Sequence, residues 1–146
     1  MTFDFKTFDG QLMFETRLQT YWADADAAEQ VFFPNFFRFV VFAEEELFRA
    51  AGQDMMALFD KYRVVMPRVE SFAKFMKPIR VGEAIFIRMQ THFKGEKTVR
   101  MEFEMFSAKD RALLAQGYVT AVCVHRRKKV SCALPAPIRA VYAVAN

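Results

Sequence analysis

The chain has 146 residues, a net charge of +4 and a composition that is 53% hydrophobic and 16% aromatic. Its length predicts one domain spanning residues 1–146, and the apolar surplus must be buried in a core or in a subunit interface. Charged residues interrupt every apolar stretch before it reaches the ~18 residues of a membrane span, and the first residues lack a secretory signal pattern, so we expect a cytoplasmic protein. The positive charge suits an anionic partner, but no motif of a nucleic-acid-binding protein accompanies it.

The first predicted element is a half-buried strand over residues 12–22, in which apolar and polar side chains alternate. Its polar positions, among them Glu15, predict a second face that meets solvent. A short extra strand is suggested before it by Phe3 and Phe5, followed by the Asp9-Gly10 turn.

A long helix is predicted over residues 34–51, with Pro34 in its first position and Gly52 as its stop. The segment 36–43 is apolar on almost every side, and only a helix that is covered on most of its surface tolerates this. A short amphipathic helix follows over residues 54–62.

The rest of the chain is predicted to be β-structure, with alternating or apolar strands over residues 64–77, 84–94, 98–106 and 112–126. Polar turns separate them, and the tail after Pro135 predicts only a short apolar end. A single apolar helix among antiparallel strands must be wrapped by the sheet. The pattern therefore predicts an α+β fold in which a strongly curved antiparallel sheet surrounds one long central helix.

The cysteines and histidines indicate no metal site. Cys123 and Cys132 are not in a C-x-x-C arrangement, and we interpret them as reduced thiols. His92 and His125 are isolated in strand-like segments, which is typical of structural histidines. We expect no metal and no cofactor.

Two segments carry a resemblance to a known family. The first is Asp24-Ala25-Asp26-Ala27-Ala28-Glu29-Gln30-Val31-Phe32-Phe33-Pro34-Asn35-Phe36, and the second runs from Val69 through Lys77-Pro78-Ile79-Arg80-Val81-Gly82-Glu83. Together they resemble the hot-dog fold thioesterases, in particular the 4-hydroxybenzoyl-CoA thioesterase-like family, over roughly residues 12–140. The family usually has Gly in the loop position that Glu29 holds here.

The resemblance implies an acyl-CoA thioesterase that releases CoA and a free acid, either aromatic or short- to medium-chain aliphatic. Asp26 would be the catalytic nucleophile or general base, and the backbone N–H of Phe33 would stabilise the oxyanion. Asn35 would fix the loop by hydrogen bonding. From the residues alone, Asp26 could instead cap the turn and the helix start. Asp24 is expected to be a solvated or capping residue.

Glu46 is a second candidate carboxylate, because a helix carboxylate performs the catalysis in another hot-dog subgroup. The alternative is that residues 44–46 form a charged helix face, with Glu45 pairing with Arg49 at i,i+4.

Substrate-binding residues are also predicted. An acyl pocket would be lined by Phe32, Pro34, Met66 and Phe72, and the CoA phosphates would meet Lys94, Lys97, Thr98 and Arg126. The alternatives are ordinary core packing for the apolar residues and solvated turns for the basic ones. CoA enters only as part of the substrate. The resemblance further implies that the site lies at the interface of a homodimer, and that dimers pair into a homotetramer.

Other functions stay open at this point. A thioesterase acting on an acyl carrier protein would use the basic hairpins as a docking face. A catalytically weak protein that binds acyl-CoA is favoured by Glu29, because Glu adds bulk and charge where Gly permits close approach. A hydratase or dehydratase would pair a His with the acid, and no His lies near the loop or the helix in the sequence.

Overall fold

The computed structural model describes residues 4–8 and 11–146, with side chains from Met13 onward. Strand β1 (Asp4–Phe8) pairs antiparallel with β2 (Gln11–Gln19), which confirms both strands predicted in this region. Phe3 and the Asp9-Gly10 turn lie outside the described residues.

Two helices follow, close to their predicted bounds. The long one is α1 (Asn35–Ala50), which begins one residue later than predicted. Gly52 follows it with a φ of 76°, the left-handed conformation that Gly adopts readily after a helix. The second helix is α2 (Met55–Tyr62), which is capped by a hydrogen bond of 2.8 Å from the backbone N–H of Ala57 to the Asp54 carboxylate.

The remaining strands are β3 (Val64–Val65), β4 (Arg68–Phe75), β5 (Ala84–Lys94), β6 (Thr98–Ser107), β7 (Leu113–Val122) and β8 (Val124–His125). The single strands predicted over 64–77 and 112–126 are wrong, because each divides in two. β4 pairs with β7, whereas β3 pairs with β8 in a separate two-stranded sheet. Pro67, which has no N–H for a ladder, lies at the first break. The tail forms a further helix, α3 (Ala136–Ala143), which was not predicted.

The main sheet has the strand order β1-β2-β5-β6-β7-β4, and all neighbouring strands are antiparallel. Its apolar face packs against α1, whose buried apolar residues are Phe36, Phe39, Val40, Ala43, Leu47 and Phe48. The predicted α+β hot-dog fold around one long helix is confirmed. No helix among the described residues has both the length and the apolar character needed to cross a membrane.

The outer face of the sheet is less solvated than its polar residues predict. Glu15 on β2 is buried because Arg111 reaches it from the turn before β7, with two N–O distances of 3.1 and 3.3 Å. Arg111 also lies over the ring of Phe86, 4.7 Å from its centroid. Arg88 approaches the same carboxylate at 3.5 Å, so Glu15 is buried between two arginines although Arg111 itself stays exposed.

The two ends of the sheet are far apart, and this decides which loops can share a site. Ile85 opposes Ser107 at one end, and Lys94 opposes Thr98 at the other, where β5 and β6 form a hairpin. β5 has 11 residues, and at about 3.4 Å per residue its two ends lie about 34 Å apart. We call these the Ile85 end and the Lys94 end.

Candidate active site

The loop between β2 and α1 is attached to the Ile85 end of the sheet. The N–H of Thr20 donates to the carbonyl of Glu83 at 3.1 Å, and the N–H of Val31 donates to the carbonyl of Ile79 at 2.8 Å. Ala25 and Val31 also form an antiparallel bridge within the loop. These contacts hold the segment that contains Asp26 against the start of β5.

Asp26 lies at the exposed tip of this loop and organises its turn. Its Oδ1 accepts hydrogen bonds from the N–H groups of Ala28 at 2.8 Å and of Gln30 at 3.4 Å, while its own N–H donates to the carbonyl of Gln30 at 2.8 Å. The capping alternative is thus realised in the turn, through one carboxylate oxygen. No hydrogen bond from the described residues reaches the other oxygen, Oδ2, so a carboxylate oxygen remains available for chemistry.

Glu29 has a φ of 61°, in the left-handed region that favours Gly. This explains why the family usually has Gly at this position. The side chain of Glu29 lines a shallow cleft of about 630 Å³ that also includes Trp22 and Arg80. Glu29 therefore adds a carboxylate to the same turn as Asp26, to whose carbonyl its own N–H donates at 3.2 Å.

The residues just before α1 offer one backbone donor. The N–H of Phe32 donates to the carbonyl of Asp24 at 2.8 Å, and the N–H of Asn35 donates to the carbonyl of Phe32 at 2.9 Å. Pro34 has no N–H. Among the described residues the N–H of Phe33 has no acceptor, and the positive end of the helix dipole adds to its potential. This N–H can therefore receive an oxyanion.

Asn35 and Asp24 fix the loop from behind. The Asn35 side-chain amide donates to the carbonyl of Asp24 at 3.0 Å, which is the loop-fixing hydrogen bond that the sequence predicts. Asp24 is buried, so of its two predicted roles, solvated or capping, the structure shows the capping one. Its carboxylate accepts a hydrogen bond of 2.9 Å from the N–H of Tyr21 and forms an ion pair with Arg38. It thereby caps the short helical turn Trp22–Asp24.

Asp26 and Phe33 line one apolar cleft of about 300 Å³. The cleft is completed by Gln30, Val31, Phe36, Phe75, Met76, Lys77 and Pro78. The ring of Phe75 lies 4.8 Å from that of Phe36 and 6.3 Å from that of Phe33, centroid to centroid, in edge-to-face geometry. Phe75 and Lys77 were missed at the sequence level. The signal for Phe75 was the alternation of β4, which places it on the sheet face toward α1.

None of the predicted acyl-pocket residues, Phe32, Pro34, Met66 and Phe72, lines this cleft. Phe32 is half-exposed beside Phe33, with the ring centroids 5.5 Å apart, and Pro34 is exposed at the helix start. Met66 is buried just before β4, near the Lys94 end of the sheet and away from this cleft. Phe72 is likewise away from this cleft, because it stacks on Tyr118 on the outer face of the sheet.

The predicted CoA-binding residues gather at the Lys94 end. Lys94 and Thr98 oppose each other in the hairpin, and Lys97 donates to the hydroxyl of Ser131 at 3.3 Å. Arg126 forms an ion pair of 2.6 Å with Asp60. These four residues share one end of the molecule, but a single chain does not bring them to the Asp26 cleft, which lies at the other end.

Glu46 is buried in α1 and does not line the Asp26 cleft. Its Oε1 accepts a hydrogen bond of 2.7 Å from Arg49, while no donor among the described residues reaches its Oε2. Glu45 and Arg49 form the predicted i,i+4 pair at 3.6 Å. The predicted charged face is nevertheless wrong for Glu44 and Glu46, because both are buried.

The cleft therefore combines a carboxylate oxygen, a free backbone N–H and apolar walls, which together suit attack on a carbonyl carbon and stabilisation of the resulting oxyanion. In the described part of the chain, no group of three or more His, Cys, Asp or Glu is placed to hold a metal ion.

Comparison with known proteins gives the chemistry of similar chains. Residues 20–142 match the family model described as the thioesterase-like superfamily. The 1,4-dihydroxy-2-naphthoyl-CoA hydrolase of Thermosynechococcus vestitus is 25% identical over 118 residues, which cover 80% of this chain and 81% of that protein.

Two solved structures have the same fold. The 1,4-dihydroxy-2-naphthoyl-CoA thioesterase from Synechocystis matches with a TM-score of 0.83 at 21% identity, over 90% of this chain and 96% of that one. A gentisyl-coenzyme A thioesterase matches with a TM-score of 0.75 at 24% identity, over 86% of this chain and 98% of that one.

Proposed function

The chain belongs to the thioesterase-like superfamily, and from this premise we propose that it hydrolyses an aromatic acyl-CoA to the free aromatic acid and CoA. The observation that carries the proposal is the shared cleft, in which Asp26 and Phe33 lie beside each other among apolar side chains. The relatives that act on 1,4-dihydroxy-2-naphthoyl-CoA and gentisyl-CoA support the choice of an aromatic acyl group.

The chemistry assigns one role to Asp26 and one to the N–H of Phe33. The Asp26 carboxylate either attacks the thioester carbonyl carbon directly or removes a proton from a water that attacks it. The carbonyl oxygen becomes an oxyanion and accepts a hydrogen bond from the N–H of Phe33, which is worth about 3 kcal/mol in comparable enzymes. Collapse of the tetrahedral intermediate breaks the C–S bond and releases the CoA thiolate.

A single turnover in H₂¹⁸O reveals direct attack by Asp26. With excess enzyme, direct attack forms an anhydride, and its hydrolysis at the Asp26 carbonyl leaves ¹⁸O in the tryptic peptide that contains Asp26. Attack by water on the thioester, or hydrolysis of the anhydride at the acyl carbonyl, places the label in the released acid, so label in the peptide is the result that establishes direct attack.

The walls of the cleft favour a flat ring over a flexible chain. Phe33, Phe36 and Phe75 present edge-to-face contacts at 4.8 and 6.3 Å, and aromatic rings prefer such partners by about 0.5–1.5 kcal/mol beyond the area that they bury. Aliphatic acyl groups gain only the free energy of burying apolar surface and lack this additional aromatic contribution. We therefore infer a preference for aromatic acyl-CoA over aliphatic acyl-CoA of similar size.

The proposed active form is a homodimer joined along β4. This strand is one of the two edges of the sheet, and Val69, Phe72 and Phe75 on it are 61%, 50% and 46% exposed. An exposed edge strand has unpaired backbone N–H and C=O groups that can hydrogen-bond to a strand of another chain. Antiparallel pairing of two β4 strands would place the Lys94 end of one chain beside the Asp26 cleft of the other. The basic residues at that end, including Lys97 and Arg126, would then meet the CoA phosphates. A homotetramer stays a prediction.

The test is the release of CoA thiol over a panel of aromatic and aliphatic acyl-CoAs. We expect turnover of aromatic members and its loss by at least 100-fold in Asp26→Asn. Asp54→Asn is the matched control, because Asp54 is also an exposed carboxylate that accepts a hydrogen bond of 2.8 Å from a backbone N–H. Full activity of Asp26→Asn would remove Asp26 from the mechanism.

A second candidate is a protein that binds acyl-CoA but turns it over slowly, and the Glu29 carboxylate beside the cleft favours it. Calorimetry that shows binding without thiol release from any panel member would select this candidate. Acyl groups on a carrier protein form a separate arm of the panel, since the basic Lys94 end suits an acidic docking partner.

A further inference from the structure

Two cysteines face each other across the last hairpin of the chain. Val124 bridges Ser131, and the N–H of Cys132 donates to the carbonyl of Cys123 at 2.9 Å, so Cys123 and Cys132 lie directly opposite each other. Their Sγ atoms are 3.6 Å apart and both thiols are free. We propose that Cys123 and Cys132 form a reversible intrachain disulfide when the protein meets a peroxide.

The backbone geometry permits this bond. Residues that oppose each other in an antiparallel pair have Cα atoms about 4.5–5.5 Å apart, which falls within the range of about 4.4–6.8 Å found in disulfides. An S–S bond is about 2.05 Å long, so the two sulfur atoms must approach by about 1.5 Å. Rotation of the half-buried Cys132 side chain can supply most of this movement.

The two thiols differ in access, and this sets the order of the reaction. Cys123 is fully buried, and burial, with a smaller contribution from Cys132, raises its thiol pKa to about 12. Cys132 is only partly buried. The same hairpin carries Arg126-Arg127-Lys128-Lys129, and Lys97 contacts Ser131 beside it. Partial exposure in positive surroundings is typical of oxidation-sensitive cysteines. Cys132 therefore reacts first.

The proposed steps balance with hydrogen peroxide as the oxidant. Cys132 takes one oxygen from the peroxide and becomes a sulfenic acid, while the other oxygen leaves as water. The Cys123 sulfur then attacks the Cys132 sulfur, the S–O bond breaks, and a second water leaves. Two thiols and one peroxide thus give one disulfide and two waters. In a cytoplasmic protein, as predicted from the sequence, such a bond is expected to be transient.

The disulfide would fix the base of a basic hairpin. Arg126 in this hairpin donates its N–H to the carbonyl of Arg63 at 2.8 Å and pairs with Asp60. Closing the loop between residues 123 and 132 removes conformations in which the hairpin opens. We expect trypsin to cleave the native oxidised chain at residues 126–129 at least threefold more slowly than the reduced chain.

The experiment uses the full chain, first reduced and then exposed to graded hydrogen peroxide. We expect the intact mass to fall by two hydrogens and two thiols to become resistant to iodoacetamide, with both changes reversed by dithiothreitol. After denaturation, trypsin should yield peptide 112–126 joined to peptide 130–139. In Cys123→Ser, dimedone should trap the sulfenic acid of Cys132. In Cys132→Ser, dimedone labelling should be weak, because only the buried Cys123 remains.

Three results would overturn the proposal: two thiols that stay alkylatable after peroxide, overoxidation of Cys132 without a linked peptide, or a disulfide only between chains. The mass measurement on the unsubstituted chain stands even if a Ser variant does not fold. No arm depends on thioesterase activity, so the outcome is independent of the proposed function.

Discussion

The hydroxyl of Tyr142 in α3 donates a hydrogen bond of 2.6 Å to the carboxylate of Glu44 in α1, and both side chains are fully buried. Arg68 at the start of β4 forms an ion pair with the second oxygen of the same carboxylate. Three elements that are distant in sequence thus meet at one buried charge. Removal of any partner leaves that charge less compensated, which is costly in an apolar interior.

Tyr142→Phe should destabilise the fold by about 1–3 kcal/mol, because Glu44 loses a buried donor and nothing replaces it. Urea denaturation at fixed protein concentration measures the change. Tyr118→Phe is the matched control, since the Tyr118 hydroxyl also donates to a glutamate, Glu70, but at an exposed position. The interpretation fails if both variants lose the same stability.

The stability of the fold should decrease as the pH rises above about 10, the usual pKa of Tyr. Burial, and then the neighbouring Glu44 charge, raise the pKa of Tyr142 well above that value. Between the two pKa values the unfolded chain has lost the proton and the folded chain has kept it. This favours unfolding by about 1.4 kcal/mol per pH unit. Tyr142→Phe should have a flatter pH profile above pH 10 than the unsubstituted chain, and an unchanged slope would contradict the assignment.

Local patterns were enough to predict α1, the strand alternation and the loop that holds Asp26. They failed where a partner far along the chain decides the outcome. Glu44 and Glu46 look like surface residues in sequence, and the partners that compensate buried Glu44 are Arg68 and Tyr142, which lie 24 and 98 positions later. Phe72 and Phe75 are both apolar residues of β4, but their spacing of three places them on opposite faces.

Predicting where the basic residues lie relative to Asp26 also requires the sheet topology. Each antiparallel strand reverses direction, so only the order β2-β5-β6-β7-β4 shows that Lys97 and Arg126 lie at the end opposite Asp26. The family resemblance identified candidate residues for the CoA phosphates. It did not indicate that they lie too far from the Asp26 cleft of their own chain to serve it. In the proposed dimer they reach the cleft of the partner chain.

Substitutions of Glu29 test two effects: the backbone strain of its left-handed conformation and the influence of its carboxylate on anionic acyl-CoA. Its φ of 61° suits Gly, so Glu29→Gly should be about 1 kcal/mol more stable than Glu29→Ala, which keeps the left-handed strain. Both variants remove an exposed carboxylate beside the cleft. We therefore expect both to raise kcat/KM for acyl-CoA by up to about fivefold, since CoA is anionic.

Salt separates the two effects of Glu29. The gain in kcat/KM should shrink as ionic strength rises, whereas the difference in stability between the Gly and Ala variants should persist. Equal stabilities for the two variants would contradict the backbone explanation. A gain in kcat/KM that is insensitive to salt would contradict the charge explanation.

Phe75 is expected to decide the preference for aromatic acyl groups, because its ring contacts both Phe33 and Phe36 in the cleft. Phe75→Ala should lower the ratio of kcat/KM for benzoyl-CoA over hexanoyl-CoA by about three- to tenfold, the value of one aromatic pair. Phe72→Ala is a close control. It removes an equally exposed ring from the same edge strand, but on the outer face of the sheet, so it should weaken any β4 interface similarly and leave the ratio unchanged. If the ratio falls equally in Phe75→Ala and Phe72→Ala, the cause is a weakened β4 interface and not the loss of an aromatic contact in the cleft.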